Sequence, residues 1–116
     1  MGKIEKFEDI LAWQESKFLA KGIYSLFKNN KDYSFRDQIQ RAAVSIMNNI
    51  AEGYERKGNK EFVKFLYIAK GSCAEVRSMI YLALDLGYIN NKDLDMYQDK
   101  CLHISSMLSN FIKKLS

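Results

Sequence analysis

The 116-residue chain contains no proline, and it has only one histidine, one tryptophan and two cysteines. Without proline, and with many Leu, Ile, Ala, Lys and Glu residues, the chain has few strong helix breakers. The composition therefore predicts an all-α fold of long helices rather than a multi-stranded sheet. At this length we expect one domain over residues 1–116, which should bury roughly two thirds of the surface that the unfolded chain exposes.

Long apolar runs are also missing. Residues 1–6 do not resemble a signal peptide, and no window approaches the roughly 20 apolar residues of a membrane span. We therefore expect a cytoplasmic protein that does not enter the membrane. Cys73 and Cys101 both fall on apolar helical stripes, which predicts two reduced core residues and leaves a disulfide as the alternative.

Residue types with catalytic or metal-binding chemistry are scarce. His103 is the only histidine, and Lys100 stands where a Glu-x-x-His metal motif needs its carboxylate. Cys101 lies two residues from His103 and so on a different helical face. No glycine-rich phosphate loop is present. The sequence thus predicts no catalytic residues, no metal site, no cofactor and no enzymatic activity.

The first half of the chain predicts two helices, because apolar residues recur there at intervals of three and four. Helix one is expected from near Asp9 to Lys28. Helix two is expected from near Phe35, since Ser34 and Asp37 have the spacing of a capping box. The apolar residues of helix one that we expect in the core are Leu11, Phe18, Leu19, Ile23 and Leu26.

The second half predicts two more helices. Asn59 can cap helix three, and Gly87 is a natural C-terminal stop for it. Asn90 and Asp93 have the capping-box spacing at the start of helix four. The connections are only a few residues long, which favours an antiparallel up-down-up-down four-helix bundle.

Helix two carries a polar stripe beside its apolar one. At about 100° per residue, the polar stripe consists of Arg41, Ser45, Asn49 and Glu52. If helices two and three form a hairpin that turns near residue 58, Arg41 lies level with Glu75, and Ser45 with Ser72. We expect an Arg41–Glu75 ion pair, with the two serines packed between the backbones. The alternative is that these side chains point into solvent, the commoner fate of charged residues.

Apolar side chains on helices one and three exceed what a single core can take. Trp13 and Tyr24 fall on one side of helix one, roughly opposite Leu11 and Phe18. Helix three has an apolar face widened by Ile68, Met79, Leu82 and Leu86. Surplus apolar faces favour self-association or a partner protein, although Trp13 can also close one end of the core. The residues that we expect at a subunit interface are Ile10, Trp13, Tyr24, Ile68 and Met79.

The charge balance is mildly basic, with a formal net charge of +4 and a pI near 9.0. Such a balance permits weak attraction to nucleic acid without requiring it. The candidate nucleic-acid-binding residues cluster on or beside helix two and the turn after it: Arg36, Arg41, Arg56, Lys57, Lys60 and Lys64. The alternative is a solvated, solubilising surface.

Four segments resemble a known family, the four-helix-bundle proteins first noticed as reading frames in intervening sequences of 23S ribosomal RNA genes. The similar segments are residues 7–14, 38–46, 49–54 and 61–75, and the most specific is Asn-Ile-Ala-Glu-Gly-Tyr at 49–54. The resemblance covers nearly the whole chain and weakens in helix four. Two positions depart from the family pattern, since Gln40 stands where a second arginine is common and Met47 where proline is common.

This resemblance implies a ring-like homo-oligomer, with a pentamer as the expected form, and no known enzymatic activity. Related accessory proteins of diversity-generating retroelements are similar bundles that bind a reverse transcriptase and nucleic acid. Two functions follow as hypotheses. The first is an oligomeric scaffold that binds RNA or DNA through repeated basic faces. The second is a protein-protein interaction module that binds no nucleic acid.

Overall fold

Four antiparallel helices make up the computed structural model of this protein, which describes residues 4–116. The helices are α1 (Leu11–Phe27), α2 (Tyr33–Glu55), α3 (Asn59–Asp85) and α4 (Asn91–Leu115), and a single 3-10 turn (Phe7–Asp9) precedes α1. The short connections return each helix alongside its predecessor. The resulting up-down-up-down bundle is 43 Å long, which confirms the predicted all-α fold.

The start of α2 differs from its prediction. Asp32 is the N-cap, and its carboxylate accepts a hydrogen bond of 3.2 Å from the Phe35 backbone N–H. Ser34 and Asp37 therefore do not form the predicted capping box. Because the Asp32 carboxylate already takes this N–H, the chain is helical from Tyr33 onward.

The predicted N-cap of α3 is wrong, whereas the predicted capping box of α4 is confirmed. Gly58, with a φ of +90°, is the N-cap of α3 and offers no side-chain cap, so Asn59 is the first helical residue rather than the cap. At α4 the predicted capping box is present, and Asn90 Oδ1 accepts a 2.8 Å hydrogen bond from the Asp93 N–H. Gly87 follows α3 with a φ of +76°, a conformation that suits glycine at a helix end.

The core-facing side of α1 differs from its prediction. Leu11 and Phe18 were expected inside, yet they are 65% and 63% exposed. The buried stripe of α1 instead runs through Ala12, Ser16 and Ala20, together with Leu19, Ile23 and Phe27. Ser16 can be buried because its hydroxyl donates a 2.6 Å hydrogen bond to the Ala12 carbonyl. Small residues thus occupy part of the buried stripe of α1, while Leu11 and Phe18 lie on the side of the helix that faces away from the core.

Helices α2 and α3 approach each other closely. The buried face of α2 consists of Phe35, Ile39, Ala42, Ala43, Ile46, Ile50 and Gly53. A Cβ atom at Gly53 would lie 2.6 Å from the Cβ of Phe65, so only glycine fits there. Small residues along this face thus set the distance between the two helices.

The contact between α3 and α4 combines apolar and polar groups. Cys73 and Cys101 are unpaired and buried in the core, and burial raises the pKa of each thiol to about 12. Beside them, Arg77 Nε donates to Gln98 Oε1 at 2.8 Å, while Gln98 Nε2 donates to the Arg77 carbonyl at 2.9 Å. These reciprocal bonds allow the amide of Gln98 to be buried.

Candidate functional site

The polar stripe of α2 meets α3 at a pair of serines. Ser45 Oγ lies 2.9 Å from Ser72 Oγ, within hydrogen-bond distance. Asn49 Nδ2 donates to the Ser45 carbonyl at 2.8 Å and to Ser45 Oγ at 3.0 Å. The structure therefore brings Ser45 and Ser72 together and adds Asn49 to them.

The predicted ion pair between Arg41 and Glu75 is wrong. Both side chains are exposed, and neither takes part in an ion pair within residues 4–116. An exposed pair gains little Coulomb energy in water and loses side-chain entropy, so nothing holds these two side chains together.

An open groove of about 510 Å³ runs over the solvent-facing side of α2 and reaches Tyr24 on α1. Its lining residues are Tyr24, Asp37, Gln40, Arg41, Val44, Ser45, Asn48 and Asn49. The side chains of Gln40, Arg41 and Asn48 form no hydrogen bond or ion pair with other residues in the described part of the chain. The groove thus presents free amide and guanidinium groups to solvent.

Gln40 and Asn48 were not predicted as site residues. One signal for them is present in the sequence, because two amides eight residues apart both fall on the outer side of the helix, about 12 Å apart along its axis. The sequence alone does not show that Tyr24 of α1 lines the same groove as these two amides.

The six candidate basic residues do not form one patch. Arg36 and Arg41 lie in the first half of α2, whereas Arg56 lies near the α2–α3 turn, about 30 Å from Arg36 and about 22 Å from Arg41 along the helix axis. Lys57, Lys60 and Lys64 lie at or just after that turn, and all three are exposed. The structure therefore brings four of the six together and separates the other two from them.

Three of the six basic residues have carboxylate partners. Arg36 lies 3.4 Å from Asp37, Arg56 lies 3.1 Å from Glu52, and Lys64 lies 3.3 Å from Glu61. The guanidinium of Arg56 also lies over the ring of Phe65, at 5.1 Å. The cations free to meet a polyanion without losing such a partner are Arg41, Lys57 and Lys60.

A second groove, of about 390 Å³, opens beside the α2–α3 turn. Its lining residues are Ile4, Tyr54, Arg56, Gly58, Asn59, Phe62, Phe111 and Leu115. Phe62 packs edge-on against both Tyr54 and Phe111, with ring centroids 5.9 and 5.2 Å apart. The aromatic rings of this groove are thus engaged mainly with each other.

Two of the five predicted interface residues lie inside the subunit. Ile10 and Met79 are only 2% and 8% exposed and belong to the core, so they are wrong as interface residues. Trp13 is half-buried and packs edge-on against Phe7 at 5.2 Å, which places it at the end of the core. Tyr24 and Ile68 are 47% and 51% exposed and remain accessible.

Large apolar side chains are exposed on helices that lie diagonally across the bundle. On α1, Leu11 and Phe18 are one heptad apart and share a face, which we call the α1 stripe. On α3, Ile68, Leu82 and Leu86 share another face, which we call the α3 stripe. Tyr67 and Tyr81 of α3, and Leu102 of α4, are exposed outside both stripes.

Within residues 4–116, no three His, Cys, Asp or Glu side chains are grouped as a metal ion would require. None of the helices in that part of the chain combines the length and apolar character needed to cross a bilayer.

Comparison with known proteins identifies the family. The model of the 23S rRNA-intervening sequence proteins matches residues 8–110. A solved structure of a protein of unknown function from the S23 ribosomal protein family of Bacteroides thetaiotaomicron has the same fold. It superposes with a TM-score of 0.83 at 23% sequence identity, over 89% of this chain and 99% of that one. A search among curated proteins finds no match. Since the family model spans nearly the whole chain, this protein belongs to the 23S rRNA-intervening sequence protein family.

Proposed function

We propose that this protein is a non-enzymatic homo-oligomeric scaffold that binds RNA or DNA through its basic faces. The observation that carries the proposal is the exposure of the α1 stripe and the α3 stripe on a small helical bundle. Large apolar side chains grouped on a surface mark sites of association.

The arrangement of the two stripes favours a second copy of this chain as the partner. The stripes differ in sequence and lie on diagonally placed helices, so they suit a head-to-tail contact between the α1 stripe of one subunit and the α3 stripe of the next. A head-to-tail contact that closes on itself forms a ring. Five subunits is the form that the family resemblance implies, and we adopt it for the proposal.

In this proposal, nucleic-acid binding depends on oligomerisation, because a ring multiplies the small positive charge of one subunit. One subunit with a net charge of +4 offers few phosphate contacts. A ring presents several copies of Arg41, Lys57 and Lys60 at fixed spacings, and a long polyanion can contact them simultaneously. Because Cys73 and Cys101 are unpaired, the proposal places the protein in the reducing cytoplasm.

Assembly is tested by measuring the molar mass in solution with light scattering. We expect a closed oligomer for the wild type and a clear loss of mass for Phe18→Ser and Ile68→Ser. Tyr67→Ser is the matched control, since Tyr67 is similarly exposed but lies outside both stripes. A monomeric wild type at micromolar concentration would overturn the assembly.

Nucleic-acid binding is tested by fluorescence anisotropy with structured RNA, single-stranded DNA and double-stranded DNA over a series of salt concentrations. We expect affinity to fall steeply with salt and to weaken in the double variant Lys57→Glu/Lys60→Glu. The control Lys92→Glu/Lys100→Glu changes the net charge equally on exposed residues of α4. Equal weakening by both variants would mean that only net charge matters, and the proposed basic face would be rejected.

The second candidate function is a protein-protein interaction module that binds no nucleic acid. It is favoured by the exposed Tyr67, Tyr81 and Leu102, which lie outside the two stripes and would stay accessible in the ring. A reverse transcriptase is the partner class that the family resemblance suggests. Absence of binding to every nucleic acid at low salt would leave this candidate in place of the first.

A further inference from the structure

We infer that the groove over α2 is a binding site for an unpaired base of single-stranded nucleic acid. This inference rests on the proposed nucleic-acid function and adds to it the location and the class of ligand. The groove is distinct from the basic cluster at the α2–α3 turn, because it lies over the middle of α2 and the side of α1 that carries Tyr24.

The floor of the groove carries the chemistry that reads base edges. Gln40 and Asn48 each have an amide that can donate and accept hydrogen bonds with the edge of an unpaired base. Because they lie about 12 Å apart along α2, the two amides can contact neighbouring bases of one strand. Neither amide is engaged by another side chain in the described residues. Asn49 differs, because its amide is already hydrogen-bonded to Ser45. The polar surface therefore exceeds what packing of the bundle requires.

The wall of the groove supplies a stacking surface. Tyr24 is about half exposed and lines the groove from α1. An aromatic ring beside free hydrogen-bonding groups is the usual platform for an unpaired base. The sequence placed Tyr24 at a subunit interface, but its neighbours in the groove are polar groups rather than an apolar surface that would be covered by another subunit.

The charges around the groove select nucleic acid over a protein segment. Asp37 is the one carboxylate in the lining, and it is paired with Arg36. Arg41 lines the groove without a partner. Exposed lysines of α1 share the side of that helix that carries Tyr24, and they are Lys17, Lys21 and Lys28. Val44 is the one aliphatic side chain in the lining, so an apolar helix or strand would find little to cover.

Size and shape fit a nucleotide within a longer strand. The volume of about 510 Å³ lies within the range of small-ligand sites. Because the groove is open to solvent along α2, a strand can enter and leave while one base occupies the floor. Duplex nucleic acid, whose bases are stacked on each other, cannot place the face of a base against the Tyr24 ring.

The test uses the purified full chain with two single-stranded oligonucleotides of equal length and charge, one with bases and one abasic. The wild type is expected to bind the oligonucleotide with bases about tenfold more tightly than the abasic one, which corresponds to one stacked and bonded base. The double variant Gln40→Ala/Asn48→Ala is expected to lose that preference. Its salt dependence should stay unchanged, because no phosphate contact is removed. Gln38→Ala is the matched control, an exposed amide of α2 outside the groove.

A second pair of variants separates stacking from a general loss of structure. Tyr24→Ala should also remove the preference for bases, whereas Tyr24→Phe keeps the ring and should retain most of it. Equal binding of both oligonucleotides by the wild type would overturn the inference while leaving salt-dependent nucleic-acid binding intact. A preference for bases that survives in Gln40→Ala/Asn48→Ala would also overturn it, since the base would then sit elsewhere. No binding of either oligonucleotide at low salt would reject the proposed function itself and the inference with it.

Discussion

Tyr88 donates a 2.6 Å hydrogen bond from its hydroxyl to Asp32 Oδ2, and so joins the α3–α4 connection to the α1–α2 connection. The same carboxylate caps α2 by accepting the Phe35 N–H. The ring of Tyr88 packs edge-on against Phe35, with centroids 5.3 Å apart. One carboxylate therefore holds the start of a helix and ties two connections at one end of the bundle.

The Asp32–Tyr88 bond predicts a pH-dependent contribution to stability. The Tyr88 hydroxyl, followed by the Phe35 N–H, lowers the pKa of Asp32 below its usual 3.8. A lowered folded-state pKa means that the stabilisation is present above 3.8 and is lost as the pH falls through the folded pKa. At the alkaline end, the hydrogen bond to Asp32 raises the pKa of Tyr88 above 10.0, so the stabilisation persists there until the pH passes the raised value.

The measurement is the thermal midpoint of the wild type and of Tyr88→Phe as a function of pH. Tyr88→Phe should unfold at a lower temperature near neutral pH, because it lacks the hydroxyl. The difference should narrow as the pH falls below 3.8 and through the lowered pKa of Asp32 in the folded protein, because protonation removes the charge that accepts the Tyr88 hydrogen bond. A difference that stays constant from neutral to acidic pH would contradict the role of this bond.

Gly53 and Gly71 should respond in opposite ways to substitution by alanine. A Cβ at Gly53 would lie 2.6 Å from Phe65 Cβ, so Gly53→Ala should force α2 and α3 apart and cost about 1–3 kcal/mol. Gly71 is an exposed helical residue with nothing within 4 Å of an added Cβ. Gly71→Ala should therefore stabilise the protein, by up to about 1 kcal/mol. Urea unfolding at one fixed protein concentration measures both, and equal stabilities would disprove the close approach.

Ser45 and Ser72 should be energetically coupled, whereas Arg41 and Glu75 should not. The serine hydroxyls lie 2.9 Å apart, and a double-mutant cycle to alanine should give a coupling of about 0.5–1.5 kcal/mol. The cycle for Arg41 and Glu75 should be additive within about 0.5 kcal/mol, since the two exposed side chains form no ion pair. Strong coupling of the charged pair would reverse this expectation and restore the ion pair inferred from the sequence.

Cys73 and Cys101 should be unreactive in the folded protein. Burial raises the pKa of each thiol to about 12, so the thiolate population near neutral pH is very small. A thiol-specific reagent should label neither residue under native conditions and both in denaturant. Rapid labelling of the native protein would show that the core opens far more often than its packing suggests.

The helices could be predicted from the sequence because apolar residues recur along them at regular intervals. The apolar stripe of α2 repeats at intervals of three and four residues, and its members from the middle of the helix onward are all buried: Ile39, Ala42, Ala43, Ile46, Ile50 and Gly53. The capping box of Asn90 and Asp93 was predictable for a similar reason, because its hydrogen bonds are local in the chain. In both cases the information lies within one helix.

The errors arise where small residues or a neighbouring helix determine which side chains are buried and which ones lie together. On α1 a stripe of Ala12, Ser16 and Ala20 faces the core, and a hydrophobicity pattern gives such residues too little weight. Met79 looks like a surplus apolar residue on α3, yet it is buried in the core. The groove over α2 was not predicted because it combines Tyr24 of α1 with Gln40 and Asn48 of α2. Only the packed arrangement of the two helices places these side chains together.

The reciprocal hydrogen bonds between Arg77 and Gln98 favour one alignment of α4 along α3. The apolar seam of α4 repeats every three and four residues, so sliding the helix by one heptad, about 10 Å, would still bury an apolar side chain at almost every position. Such a slide would place Asn91 or Ser105 opposite Arg77, and neither side chain is long enough to replace the glutamine amide. Gln98 therefore favours the same alignment that the short α3–α4 connection requires, and its replacement by leucine would remove this polar selection while leaving the apolar seam intact.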